Sequence, residues 1–490
     1  MKKWKIALSI SAASALILVG CEKFLDVQPR YVQDAENYFN QPSDYEMALT
    51  AAYDLLQTSY LTQWIGEIAS DNAIAGGESV TDTEGLHQIE NMMHNAVNNE
   101  LRSVFRWNYA GIARVNYLME FKDKIDFVGK EQIIGQARFL RAYYYFELVK
   151  YFGEVPLVID QRLGADQVTK LDRSPTAEVY AQIEADLQYA SATLPWSNPE
   201  KGRVDKGAAL ALLGKVHLYQ NDFSVAAVIL DSVIDFGGYA LVEDYDALWL
   251  DANENNSETV FDIEYSGLEG GSYGCFVCLE GNAAAGFNGI RQYEGPLYGD
   301  GNSYNLPTAD LYQAFDISDI RRDITILDLD AFIASQPNPS SISYAQGGGG
   351  HTGYYNNEYI KRQGEIGLPD NDLTSPLNYK VIRYADVLLM AAEALAHTGQ
   401  GGKALGFLNE VRARVNMPAM TSSGNALMED IYMERRLELS GEGLRFWDLV
   451  RTGKAPSTIS NFVSGKHERF PLPQVEIDLA GGNWNQNPGY

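Results

Sequence analysis

The sequence predicts a mainly α-helical protein in which helix pairs form a scaffold, interrupted by long loop-rich excursions and a few short strands. The first observation is periodicity. Segments 43–57, 100–121, 131–152, 174–193, 205–219, 224–235, 378–397, 402–415 and 426–439 all place apolar residues at the 3.6-residue spacing of one helix face. The second is pairing. A segment ending Val216-His217-Leu218-Tyr219 meets the turn Asn221-Asp222 before Phe223 and Ala226 open its partner. Likewise Ala391-Ala392-Glu393-Ala394-Leu395 meets Gly399, Gly401 and Gly402 before Ala404, Leu405 and Leu408. Small residues at these positions let two helices approach closely, as in tetratricopeptide units. The third is interruption: residues 236–377 lose the helical period and gain Gly, Asn, Ser and Pro.

Within this frame, segment 131–152 puts Ile133, Ala137, Leu140, Tyr144, Leu148 and Tyr151 on one stripe. The consecutive aromatics Tyr143-Tyr144-Tyr145-Phe146 point in all directions around a helix. They therefore predict a helix packed between neighbours rather than a stacking platform. Residues 259–265 alternate like a strand, and Gly347-Gly348-Gly349-Gly350 reads as loop. Residues 58–99, rich in Asp, Asn and Gly, form a second excursion. Unpatterned stretches of this length inside a compact chain are usually functional.

The N-terminus reads as an address. Lys2, Lys3 and Lys5 precede an apolar run from Ile6 to Val19, which ends in Leu18-Val19-Gly20-Cys21. That order is a bacterial secretory signal, shorter than a comfortable membrane span. A cysteine directly after the small residues marks the lipoprotein variant, so Cys21 is the expected lipid-attachment residue. Several acyl chains on one thiol and its amine suffice for stable anchoring, at about 0.8 kcal/mol per buried methylene. No other apolar run of about 18 residues follows, so the membrane is expected to be met through the anchor alone.

The formal charge is −27 over 490 residues, and removal of residues 1–20 leaves the chain three units more acidic. Such a surface argues against nucleic acid or anionic lipid as partners and weakens a sulfated or uronic ligand. Besides Cys21 only Cys275 and Cys278 occur. This lone Cys-x-x-Cys lacks a second pair or nearby histidines for zinc, and Gly270, Gly271, Gly274 and Gly281 surround it instead of a strand and helix. A local disulfide stiffening a loop is the preferred reading in an exported protein. Asp251, Asn253, Glu254 and Asn255 offer hard oxygens suited to calcium but lack an EF-hand arrangement. No cofactor is expected, and a structural calcium stays unplaced.

Six segments in series resemble the SusD/RagB family of surface glycan-binding lipoproteins of Bacteroidetes. They are Cys21 to Pro29 (CEKFLDVQP), Gln136 to Val158 (QARFLRAYYYFELVKYFGEVPLV) and Gly202 to Tyr219 (GRVDKGAALALLGKVHLY). Val381 to Ala394 (VIRYADVLLMAAEA), Ile431 to Ala455 with ERRLELSGEGLRFWDLVRTGKA, and the terminal QNPGY complete the set. The resemblance implies four tetratricopeptide-like helix pairs, a ligand site on loops, and a non-catalytic role. It also implies pairing with a TonB-dependent (SusC-like) transporter in the outer membrane, the protein facing the exterior as a lid that delivers oligosaccharide. The chain then divides into a signal (1–20), a lipid-anchored tether (21–42), a first helical part (43–235) with its excursion at 58–99, a loop-rich ligand-binding insertion (236–377), and a C-terminal helical part (378–490).

Sugar recognition needs flat apolar faces over C–H patches and planar amide or carboxylate partners for hydroxyls. Residues 267–305 supply Tyr273, Phe276, Phe287, Arg291, Tyr293, Tyr298 and Tyr304, with Asn282, Asn288 and Asn302 among them. Roughly half are expected to be packing residues. Asp71, Asn72, Glu78, His87 and Gln88 are candidate polar contacts in 58–99, whereas Trp64, beside Ile65 and Ile68, is assigned to the core. Glu434 and Glu438 lie one turn apart and could suggest a glycosidase pair. The resemblance assigns this segment instead to arginine ion pairs. A neutral glycan such as a β-glucan is the favoured ligand. A peptide-capturing relative of the same fold and a surface glycoside hydrolase are the alternatives.

Overall fold

The computed structural model describes residues 38–268, 270–275, 278–364 and 373–490. Cys21 with its signal and most of the tether, and Phe276, lie outside the described residues. The helices named here are α1 Pro42–Asp54, α2 Tyr60–Ile68, α3 Glu84–Glu90, α4 Asn99–Glu120, α5 Lys130–Phe152, α6 Thr176–Thr193, α7 Lys206–Tyr219, α8 Phe223–Phe236, α9 Tyr384–His397, α10 Gly401–Arg414, α11 Asn425–Glu438 and α12 Arg445–Arg451. The fold is mainly α, with short strands.

From α4 to α10 each named helix packs on the next, and α1 packs on α4. Because α8 rests directly on α9, residues 237–383 are looped out between adjacent members of one stack. Tight approach between members is visible where α4 meets α5. A β-carbon on Gly111 would sit 2.4 Å from the Tyr144 ring. Tyr143, Tyr144, Tyr145 and Phe146 are all buried, and the Tyr144 hydroxyl donates to the Ala52 carbonyl at 2.6 Å. Two of these helix starts are capped by side chains: Asn98 Oδ1 accepts from Leu101 N–H at 3.1 Å, and Asp205 Oδ1 from Ala208 N–H at 2.9 Å.

The strands are β1 Ala73–Ala75, β2 Thr259–Ile263, β3 Ile290–Arg291, β4 Asp300–Gly301, β5 Asn305–Pro307, β6 Ile326–Asp328, β7 Tyr354–Asn356 and β8 Tyr379–Arg383. They pair two by two, antiparallel except β3 with β4. The β2–β8 pair closes the neck of the looped-out segment. The β1–β5 pair stitches the 58–99 excursion onto it.

Two expectations are corrected. Residues 379–383, expected to open the helix of 378–397, form β8; Tyr379, Lys380, Ile382 and Arg383 are buried together, and pairing with β2 overrides the helical period. The 58–99 excursion is not unpatterned either, since it holds α2, whose nine residues are all buried, as well as β1 and α3.

Arginine pairs lock these parts together. Arg321 donates to Glu434 at 2.7 Å, to Glu438 at 2.8 Å and to Asp319 at 2.6 Å. Arg383 reaches Glu258, Glu438 and Glu442, and Arg414 reaches Glu258 and Glu438. The one-turn carboxylate pair Glu434/Glu438 is thus fully buried between guanidiniums.

Candidate functional site

A groove of about 280 Å³ opens where α2, α3 and α4 meet the 273–304 part of the looped-out segment. On α4, Asn99, Ser103 and Trp107 follow at four-residue steps, with Glu100 beside them, and line one wall. Tyr60, Leu61 and Trp64 come from α2, and Asp82, Thr83 and Leu86 from the turn into α3. Tyr273, Phe287 and Tyr304 close the far side.

The aromatic rings form one continuous lattice. Trp64 lies 5.1 Å from Tyr60, 5.4 Å from Phe287 and 5.8 Å from Tyr304, and Phe287 stacks on Tyr304 at 5.1 Å with a 7° interplanar angle. Trp64 Nε1 donates to Asn288 Oδ1 at 2.9 Å, and Asn288 in turn donates to the Tyr359 carbonyl, which fixes the indole. Trp64, Tyr60 and Phe287 are buried and act as the floor, whereas Trp107 and Tyr304 are half-buried and Tyr273 is 57% exposed. These three keep accessible surface along the groove. Cys275 and Cys278, just beyond Tyr273, are joined by a disulfide.

Two polar atoms at the groove have no hydrogen-bond partner among the described residues: Glu100 Oε2 and Thr83 Oγ1. Gly85 admits the carboxylate, since a β-carbon there would stand 1.6 Å from Glu100 Oε2. Burial, and then the nearby Glu84, raises the Glu100 carboxyl. The Tyr304 hydroxyl donates to Asp82 Oδ1 at 3.3 Å, and burial followed by the Asp82 charge pushes it up to about 12. A buried acceptor and a hydroxyl left unpaired beside open aromatic faces suit a ligand that offers hydroxyls and C–H patches together.

The residues singled out from sequence do not all meet at one place. Tyr273, Phe287 and Tyr304 meet in the groove. Tyr293 and Tyr298 do not: at 5% and 4% exposure they pack with Ile290, Leu306, Leu327 and Tyr355 in a small second core. This corrects their candidacy as ligand contacts, because the glycine-rich segment folds over a core of its own. Asp71 and Asn72 are corrected likewise. Asp71 holds Arg445 at 2.7 and 2.9 Å and Arg436 at 3.0 Å, and Asn72, fully buried, bonds Glu67 and Arg436. Burial alone would raise the Asp71 carboxyl, but the Arg445 and Arg436 guanidiniums outweigh it and hold it below the usual range. His87 Nε2 meets the Gly76 carbonyl at 2.9 Å, and Glu90, foremost, raises its pKa. Arg291 donates to the Gly347 carbonyl, outside the groove. Sequence reasoning missed Tyr60, Trp107, Asp82, Thr83 and Glu100. The four-residue spacing of Asn99, Ser103 and Trp107, a small polar stripe ending on an aromatic, was the available signal.

No three acidic, histidine or cysteine side chains converge on a metal position among the described residues. None of the described helices is long and apolar enough to cross a membrane.

Residues 336–467 match the model of the SusD family, and residues 23–218 match one described as starch-binding associating with outer membrane. A solved structure described as a laminarin binding SusD-like protein is 34% identical; the match covers 91% of this chain and 99% of that one, with a TM-score of 0.84. The chain belongs to the SusD family. This SusD-family protein is also 28% identical, over the full length of both, to SusD-like protein P2 of Formosa agariphila. Surface glycan-binding protein A from Bacteroides thetaiotaomicron, solved in complex with laminarihexaose, is 25% identical with a TM-score of 0.81, and the match covers 91% of this chain and 99% of that one.

Proposed function

We propose that the protein captures a neutral glycan of the β-glucan class in the aromatic groove, does not cleave it, and passes it to a TonB-dependent transporter in the outer membrane, where lipid on Cys21 tethers it. One observation carries this reading: the lattice Tyr60–Trp64–Phe287–Tyr304, with Trp107 and Tyr273 at its rim, lines the same groove as Glu100 and Thr83, each of which keeps a polar atom unpaired among the described residues. Rings cover the C–H faces of pyranoses, and Glu100 and Thr83 meet their hydroxyls. The laminarin-binding and laminarihexaose-bound relatives support the β-glucan class, and the acidic surface disfavours charged polymers. A binding role is further supported by Glu434 and Glu438, which arginines enclose in the interior.

Electrophoresis through gels containing laminarin, other neutral glucans, alginate or peptide mixtures, with a reducing-end assay on the same samples, tests the proposal. Retardation by laminarin without new reducing ends is the expected result. Release of reducing ends would make the protein a hydrolase. Retention by peptides alone would replace the glycan reading with peptide capture.

A further inference from the structure

A second cleft, also of about 280 Å³, lies between the turn before α7, the segment after α8 and strand β2. It shares no lining residue with the aromatic groove. Trp196 and Tyr239 contribute rings, and the ammonium of Lys206, 5.5 Å from the Trp196 ring centroid, orients the indole. The remaining walls are polar and of both signs. Asp262, 4% exposed, gives one carboxylate oxygen to Lys380 at 3.3 Å. Its other oxygen, Oδ1, has no partner among the described residues. Arg203 donates through Nε to Glu200 at 3.2 Å and through Nη2 to Thr50 at 3.1 Å, while Nη1 is buried and likewise unmatched. Asn255 and Glu264, bonded to each other at 3.3 Å, also line it.

A buried acceptor and a buried donor left unmatched in one cleft cost free energy unless something fills both roles. A metal ion would not satisfy the Arg203 donor, and no three ligating side chains converge on a metal position among the described residues. An anion would face Asp262 and Glu264. A hydroxylated neutral ligand donates to Asp262 and Glu264, accepts from Arg203 and lays its C–H face on a ring. We infer that this cleft is a second saccharide site, sized for a short stretch of one or two sugar rings and independent of the aromatic groove. Its volume sits at the lower edge of small-molecule sites, roughly 300–1,000 Å³.

The test uses the full chain with the groove disabled by Trp107→Ala and Tyr273→Ala. Saturation-transfer NMR is recorded with glucose, galactose, mannose and xylose, each at tens of millimolar. At least one sugar is expected to receive transfer from this protein, weakened about tenfold by adding Trp196→Ala, which removes a stacking face, and also by Asp262→Asn. Trp196 is half-buried, so its substitution keeps the test open if loss of the Lys380 pair unfolds Asp262→Asn. Absence of transfer to all four sugars, or transfer that Trp196→Ala leaves unchanged, overturns the inference. Failure of laminarin capture by the wild-type groove is a separate result and leaves this one standing.

Discussion

At the scale of single residues, the structure separates aromatics that line the groove from aromatics that pack. Trp107 and Tyr304 offer half-buried faces in the groove, so Trp107→Ala should weaken laminarin binding about tenfold or more. Its melting temperature should stay near that of the wild type, and calorimetric titration paired with thermal unfolding checks both. Tyr293→Ala should do the opposite. It empties part of the second core and should cost about 3–5 kcal/mol of stability by analogy with other large aromatic truncations. Denaturant unfolding measures that loss. A titrating residue gives a third expectation. Burial, foremost, lifts the Glu254 carboxyl from 4.5 to about 8, although it accepts from the Asn378 N–H and lies near Lys380. The folded chain therefore holds this proton more tightly than the unfolded one, so the contribution of Glu254 to stability falls as pH rises from 4.5 to about 8. Glu254→Gln should match the wild type in acid and exceed it above about pH 8, read from urea midpoints at both ends.

At the scale of elements, arginine pairs fasten the looped-out segment to the stack. Arg321 stands on that segment, and two of its carboxylate partners stand on α11. Arg321→Met should cost about 3–5 kcal/mol, because it leaves Glu434 and Glu438 buried with less compensation; the urea midpoint should move accordingly. The paired helices were legible because their apolar spacing persists over many turns, and Leu140, Tyr144 and Leu148 keep it even in α5, which is buried on nearly every side. β8 was not legible, since Tyr379 to Arg383 is enclosed by β2 and by the acidic residues around Arg383, and a segment buried on several sides shows no single period. The groove was half legible for a related reason. Glycine-rich composition announces a loop, but it does not say whether that loop folds over its own core, as Tyr293 and Tyr298 do. Trp107 escaped notice because a helix pattern reports which face is buried and not that a neighbouring excursion stops short of the rim.

At the scale of the whole molecule, net charge sorts ligands by sign. Capture of a neutral glucan should be insensitive to ionic strength, whereas any retention of alginate should appear only at high salt, where repulsion by a chain of charge −27 is screened. Gel retardation across a salt series distinguishes the two. The groove itself is assembled from α2 and α4 on one side and from residues 273–304 on the other, with β1 paired to β5 across more than two hundred positions of chain. No short contiguous fragment contains it, since its lining runs from Tyr60 to Tyr304 and the stack continues beyond. Ligand occupancy and global folding are therefore one thermodynamic variable. A saccharide at a hundred times its dissociation constant should add about 2.7 kcal/mol to the unfolding free energy of the entire chain, displacing a single cooperative transition rather than splitting it into two.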